Sequence, residues 1–322
     1  MNLVPASLQS VYLDLLQTAT HAPAAAVVTS TINGQTYLRA VERIGATRRT
    51  RHIGRADDPA ARAEADALRD AAAQAKNRRT LVATLRRAGL AGPPASMGRA
   101  LEALSMGGLF ESGGIVLVGT AAYLCYAAAL GRRMPSGLTT TQDIDLSVVS
   151  LLIAGSPRID LLETLRYADP AFQSVHNSMI PDKPPSRFRA PDGLIVEVVT
   201  NLRRAGVSPV PIPQLGASAE ALRFQDFLIE NPQRAVVLHG SGVPVLIPDP
   251  ARFGVHKLML AQLRPTLQSA RRRKDMDQAR TLRDILLIDN PETWNDAVSD
   301  ARERGAAWRK ALDAGLRALE SG

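Results

Sequence analysis

Gln142-Asp143-Ile144-Asp145-Leu146-Ser147-Val148 is the stretch on which the fold of this chain turns. Its apolar and β-branched residues favour a strand, where alternate side chains share a face; Asp143 and Asp145 then project together while Ile144 and Leu146 enter a core. Two carboxylates on one exposed face are the oxygen-donor chemistry that a magnesium ion takes. A strand-edge pair of solvated aspartates is the other reading. The chain supplies its own control: Asp275 and Asp277 repeat the Asp-x-Asp spacing within Arg- and Gln-rich helical texture, where residues two apart diverge around the axis.

Upstream, Ile115-Val116-Leu117-Val118 is a short buried strand running into Gly119 and Thr120 at the start of an alanine-rich helix over 120–130. A glycine there lets a phosphate approach the backbone, and the first free N–H groups with the Thr120 hydroxyl can hold it; an ordinary N-cap threonine after a tight turn is the plain alternative. Gly113 and Gly114 precede the strand instead of following it, so this is not the dinucleotide-binding fingerprint, and no Gly-Lys-Ser/Thr marks a P-loop. Downstream, a Pro- and Arg-rich loop over 181–191 leads to Leu194-Ile195-Val196-Glu197-Val198-Val199. Glu197 is a single acid in an apolar strand and needs a counter-charge. Arg187 or Arg189 supplies one solution; a metal shared with Asp143 and Asp145 supplies another.

Further out, a helix over 8–16 precedes two alternating strands, 26–31 and 36–43, turned at Asn33-Gly34. From 39 to 55 the charge is one-sided, with Arg39, Arg43, Arg48, Arg49, Arg51 and Arg55 against Glu42 alone. That pattern fits a solvated strand face or a surface that tracks phosphates. A helix over 57–88 ends near Gly89, and Gly92-Pro93-Pro94 marks a boundary. Beyond the central segment, strands are expected over 223–229, 235–238 and 243–247, with a turn at His239-Gly240-Ser241-Gly242. After Pro248 and Pro250 the texture is helical over 252–264, 269–288 and 291–319. The expectation is three parts: 1–92, a helix, basic hairpin and helix; 93–249, a mixed sheet with helices against it; and 250–322, a helical bundle.

The 322 residues are 45% hydrophobic and 22% charged, which excludes a disordered chain, a collagen and a coiled coil. Thirty-nine Lys and Arg against 31 Asp and Glu leave +8, favouring a polyanionic partner. Cys125, the single cysteine, allows no internal disulfide and reads as a small buried hydrophobe. The first twenty residues lack the texture of a secretory leader, and the uncharged run 113–131 breaks into strand, turn and glycine-closed helix. A cytoplasmic protein with no membrane partner is therefore expected. His21, His52, His176, His239 and His256 lack metal-ligand spacing, and Trp294 and Trp308 read as core anchors.

The order strand, Gly-Thr, helix, Asp-x-Asp strand, loop, acidic strand resembles the nucleotidyltransferase fold shared with DNA polymerase beta, in particular the branch of the AbiEii-type toxins. Pro248-Asp249-Pro250, Phe253, His256, Lys257, and then Arg271-Arg272-Arg273-Lys274-Asp275 with Gln278 are similar to that branch's helical half. The N-terminal hairpin and the lead-in Met106-Gly107-Gly108-Leu109-Phe110 look like an uncharacterised bacterial group of the same superfamily. Thr120 stands where the family usually has serine, and the gap from Gly119 to Asp143 is longer than in compact relatives.

The resemblance implies an α+β fold with a nucleotidyltransferase-like mixed sheet, an N-terminal helix and hairpin extension, and a C-terminal helical bundle. It implies a magnesium-dependent transfer of a nucleoside monophosphate from an NTP to a hydroxyl. Asp143 and Asp145 would hold one magnesium ion and, with Glu197, a second; Gly119 and Thr120 would grip the phosphates; Lys257 and Lys274, two of only five lysines, would close the nucleotide site, unless both lie on a solvated helix face. Arg48, Arg49, Arg51, Arg55, Arg271 and Arg272 are the candidates for an RNA or tRNA acceptor, and an antitoxin is the partner that the toxin likeness suggests. The contrasting expectation is a non-catalytic protein that keeps the fold and binds nucleic acid or a protein partner.

Overall fold

The structure is a computed structural model describing residues 3–44, 47–111, 114–149, 157–176, 183–202 and 208–320. Gly113, and Pro181 at the start of the Pro-rich loop, lie outside the described residues. Helix α1 (Ala6–Thr18) leads to strands β1 (Ala25–Ile32), β2 (Gln35–Ile44) and β3 (Thr47–Arg55), an antiparallel sheet in that order, and then to the 29-residue helix α2 (Pro59–Arg87). The Asp58 carboxylate caps α2 by accepting the Ala60 N–H. Leu38 of β2 meets Ala61 and Ala65 of α2 in a small apolar seam. The third strand has no apolar alternation, because it is an edge whose two faces both carry arginine, and the sequence pattern shows only the first two.

The central sheet contains β4 (Ile115–Val118), β5 (Asp143–Val148), β6 (Gln173–Val175), β7 (Arg187–Arg189), β8 (Ile195–Asn201), β9 (Val210–Ile212) and β10 (Ala217–Leu222). Its main path is β4-β5-β8-β10-β9. Strand β5 runs antiparallel to β4 and parallel to β8. On the far edge of β8, β7 pairs antiparallel with residues 195–197 and β10 pairs parallel with 199–201, so two short strands share one edge. Helices α3 (Ala95–Met106), α4 (Gly119–Ala129) and α5 (Leu161–Ala168) cover the core built around Ile144, Leu146, Val196 and Val198. Tyr12, Leu15, Val82 and Leu85 of the first two helices share a cluster with Val236 and Leu238 of the hairpin β11 (Gln233–Val237) and β12 (Val243–Ile247), whose turn is the expected His239–Gly242.

The strand expected over 223–229 is not formed. Residues 217–222 make the strand, and 225–228 turn into the short helix α6 (Gln225–Leu228). Phe224 and Phe227 lie three apart, a helical spacing, and both are drawn against Trp308, with ring centroids at 4.4 and 5.9 Å. The bundle that follows comprises α7 (Pro250–Leu263), α8 (Ser269–Asp289), α9 (Pro291–Glu303) and α10 (Ala306–Glu320). The single helix expected over 291–319 is thus two. Gly305 breaks it with φ +129°, a backbone conformation that a side chain resists.

Candidate functional site

Register assembles the site. Across the parallel β5–β8 ladder Asp145 pairs with Glu197 and Asp143 with Ile195. Paired positions share a face, so Asp143, Asp145 and Glu197 stand on one side of the sheet, while Ile144, Leu146, Val196 and Val198 fill the core on the other. The edge strands extend the same face. Arg187 of β7 is opposite Glu197, and Glu220 of β10 is opposite Val199. Arg187 uses both Nε and Nη2 on a single oxygen, Oε1 of Glu197, at 3.0 and 2.8 Å. Of the two arginines the sequence offered, Arg187 is therefore the counter-charge. Glu220 carries no sequence signal, since a lone Glu before Ala-Leu has no motif; its two oxygens accept from the Ser186 and Ser208 hydroxyls.

Gly119 explains the tight fit between α4 and β5. Its φ is +67°, and a Cβ there would stand 2.1 Å from Oδ2 of Asp145, so only a glycine leaves room for that carboxylate. Among the described residues no side chain caps α4, whose start at Gly119 lies against this corner with its first N–H groups unpaired within the helix. Among the described residues neither the Asp143 nor the Asp145 carboxylate takes part in a hydrogen bond or ion pair. Burial, and then the charges of Glu197 and Asp143, raise Asp145 from its ordinary value to about 7, against the opposing pull of Lys257 and Arg271.

The bundle brings its cations to this face. Lys257 of α7, 7% exposed, donates to Oδ1 of Asp275 at 2.7 Å, and Arg264 reaches the other oxygen. Burial alone would push the Asp275 carboxyl up; Lys257 and Arg264 hold it below its ordinary value. Lys257 is thus buried, and the solvated-face alternative does not apply to it. Lys274 donates to the Thr140 carbonyl at 2.6 Å and Gln278 to the Leu138 carbonyl at 2.9 Å, which fastens α8 to the segment entering Asp143. Desolvation, then repulsion from Lys257, lowers the Lys274 ammonium. Asp277, turned away from Asp275, faces Arg280 at 3.8 Å, and the helical Asp-x-Asp does not converge.

Among the described residues no three His, Cys, Asp or Glu side chains are gathered closely enough to hold a metal ion as they stand. The donor chemistry of the first two still fits a hard divalent cation: Asp143 and Asp145 offer oxygen alone, carry no hydrogen bond, and repel each other in a partly desolvated corner. Glu197 is on the right face but is occupied by Arg187.

The arginines proposed from sequence divide. Strand alternation sends Arg49 and Arg51 to the α2 side of β3, and Arg51 pairs with Glu64 of α2 at 2.5 Å, while Arg55 pairs with Asp57 at 2.7 Å. The opposite face carries Arg39, Arg43, Arg48 and His52, with the Tyr37 and His52 rings 5.6 Å apart. Arg272 donates to Gln262, and Arg271 acts on Asp145. Cys125 is buried, and desolvation pushes its thiol up to about 12. His256 is buried as well, and among the described residues it belongs to no group that could hold a metal ion. Among the described residues no helix is long and apolar enough to cross a membrane.

An α+β protein with carboxylates on adjacent parallel strands, beside the glycine start of a helix, is the class these observations define. Residues 95–303 match the model of the Nucleotidyltransferase family, well over half of the 322 residues, and the chain belongs to that family. The match begins at α3 and ends with α9, so it takes in the whole carboxylate face and leaves out the arginine-rich N-terminal sheet. An antigenic nucleotidyltransferase-like protein from Paracoccidioides brasiliensis aligns with 62% of this chain and 84% of its own at 15% identity; its TM-score of 0.27 is too low to bear on the site. No curated protein matches.

Proposed function

We propose that this chain transfers a nucleoside monophosphate from an NTP to a hydroxyl acceptor, with magnesium held by Asp143 and Asp145. The acceptor hydroxyl gives up its proton to a carboxylate of this face or to water as its oxygen bonds to the α-phosphorus; the bond from that phosphorus to the bridging oxygen breaks, and pyrophosphate leaves. The observation that supports this best is the Asp145 corner: a carboxylate with no donor among the described residues, raised to about 7 beside two other acids, and pressed into the space that Gly119 keeps open. Such a group is stabilised by a bound cation. Magnesium there would neutralise charge at the attacking and leaving oxygens. The chain's own contributions follow from its geometry. The uncapped start of α4, with Gly119 and the Thr120 hydroxyl, receives phosphate oxygens; Arg271 and Lys274 offset the triphosphate charge; Lys257 does so from beneath, anchored by Asp275. Glu197 joins the aspartates as the third carboxylate.

RNA is the acceptor we propose. The outward face of β2 and β3 joins three arginines to a tyrosine and a histidine, the pairing of phosphate-neutralising and stacking groups that single-stranded RNA uses. The likeness to AbiEii-type toxins adds an antitoxin partner to the proposal; growth arrest on expression, relieved by a second protein, would bear this out. The test of the chemistry is incubation with labelled NTPs, magnesium and total RNA. Wild type should label RNA and Asp145→Asn should lower incorporation by at least about a hundredfold, the scale of one lost electrostatic contact to the transition state. Incorporation that survives the substitution removes the assigned site.

One observation favours a second function. Glu197 is held by Arg187, and among the described residues no three-carboxylate cluster is closed. A non-catalytic protein that binds nucleic acid would look the same at this position. Such a protein binds RNA with a strong salt dependence that is indifferent to magnesium and to Asp143 and Asp145.

A further inference from the structure

Arg187 lies where the third carboxylate must act. It is opposite Glu197 on the antiparallel β7–β8 ladder, and Glu197 is opposite Asp145 on the parallel β5–β8 ladder, so the three side chains form a row across one face of the sheet. Glu197 Oε1 receives both guanidinium donors, and among the described residues no other side chain is hydrogen-bonded to the carboxylate. The two partners are unequal in exposure: the Glu197 side chain is 23% exposed and the Arg187 side chain 53%. Arg187 also feels the charges of Asp143 and Glu220, so it stands within the field of the whole acidic face.

We propose that Arg187 is a releasable counter-ion that keeps Glu197 out of the metal site until a nucleotide arrives. This rests on the magnesium-dependent reading of the Asp143–Asp145 corner. While Arg187 holds Glu197, a cation meets only the two aspartates. A triphosphate presents oxygens in the geometry that a guanidinium fork prefers, and it competes with Glu197 for Arg187. Once Arg187 turns to the phosphates, Glu197 is free to complete the carboxylate set. Half of the Arg187 side chain is already in solvent, so the exchange needs no burial of an unpaired charge on the arginine side. Metal and nucleotide then strengthen each other's binding through this one residue, which acts as a positioning residue for Glu197 and as a phosphate contact.

The consequence is opposite to that of an ordinary site residue. Arg187→Gln should bind metal alone more tightly than wild type and should lose part of the coupling to nucleotide. The experiment is titration calorimetry of the full chain with Mn2+, in the absence and presence of a non-hydrolysable NTP analogue, on wild type, Arg187→Gln, Arg187→Lys, Glu197→Gln, Arg187→Gln with Glu197→Gln, and Asp145→Asn. Removing the exposed pair should tighten Mn2+ alone about three- to tenfold, with the analogue's enhancement reduced by the same factor. Arg187→Lys keeps the charge but not the fork, so it should bind Mn2+ alone as wild type does and show a smaller enhancement by the analogue; the gain of Arg187→Gln should vanish in the double variant, because it acts through Glu197. An unchanged or weaker Mn2+ affinity in Arg187→Gln, or a gain that persists without Glu197, overturns the proposal. The underlying site reading fails separately: Mn2+ binding that is the same in Asp145→Asn and wild type shows that the cation is elsewhere, whereas loss in Asp145→Asn with no effect of Arg187→Gln overturns the counter-ion alone.

Discussion

At the scale of single residues, Asp145 is a group whose charge opposes stability. Its carboxyl is raised to about 7 because its corner is partly desolvated and acidic, and each pKa unit corresponds to about 1.4 kcal/mol between protonation states. Asp145→Asn removes that charge, and in EDTA it should raise stability by about 2 kcal/mol, roughly 5 °C in thermal midpoint, discounted from the full shift because the group retains some solvent. Calorimetry of the two proteins checks this, and an Asn variant melting below wild type would contradict the origin given for the shift. His256 works in the other direction. Desolvation, then the neighbouring Lys257, with Arg264 adding to them and Asp275 opposing, lowers it to about 3. The unfolded chain therefore binds a proton that the folded chain refuses between about 3 and 6.5, and stability falls as pH drops through that window. His256→Gln should flatten the loss between pH 6.5 and 4.5 in denaturant titrations. Asp145 itself, raised, favours the folded state as pH falls from 7, so the His256 contribution is read most cleanly in an Asp145→Asn background.

Elements show what was legible in the sequence and what was not. The Asp143–Asp145 pair is readable because strand alternation is local, and Gly119-Thr120 because a glycine at a strand-to-helix turn is local too. Whether Glu197 faces the aspartates depends on the β5–β8 register, a long-range property with no local signature, and the same holds for Arg187 and Glu220. The misplaced strand over 223–229 has a similar origin: a short run rich in Phe, Leu and Ile reads as a strand until Trp308, far along the chain, takes Phe224 and Phe227 on a helical spacing. The bundle's grip is the other element-scale feature. Asp275, 3% exposed, holds Lys257 and Arg264 together, and removing it leaves a buried ammonium without a partner. Asp275→Ala should cost about 3–5 kcal/mol, while Lys257→Met combined with Asp275→Leu should recover most of it. Unfolding in urea measures both. A double variant as unstable as Asp275→Ala would mean that α7 and α8 pack through something other than this pair.

At the scale of the whole molecule, two basic surfaces stand out within a net charge of +8, and the proposed function gives them different tasks. Arg187, Lys257, Arg271 and Lys274 surround the carboxylate face, inside the span of the family match; Arg39, Arg43 and Arg48 lie on the outward face of a sheet that precedes it. The N-terminal module is nonetheless continuous with the core, since Tyr12 and Leu15 share a cluster with Val236 and Leu238. In the proposed function, a substrate held on the basic sheet is thus carried by the same body as the nucleotide. Binding there is electrostatic, and each phosphate neutralised on a single strand contributes about 0.7 to the slope of log affinity against log salt. Replacing Arg39, Arg43 and Arg48 together with Ala should reduce that slope by about 2 for single-stranded RNA. Arg51 and Arg55 already face Glu64 and Asp57, so replacing those two should change it by less. Fluorescence anisotropy from 50 to 300 mM KCl gives the slopes, and Mn2+ affinity should be the same in both multiple variants, because neither touches the carboxylate face. Equal slopes in the triple variant and wild type would place the RNA elsewhere on the molecule; a slope that falls only with Arg271→Ala and Arg272→Ala would place it at the mouth of the nucleotide site, where donor and acceptor would have to enter by one route.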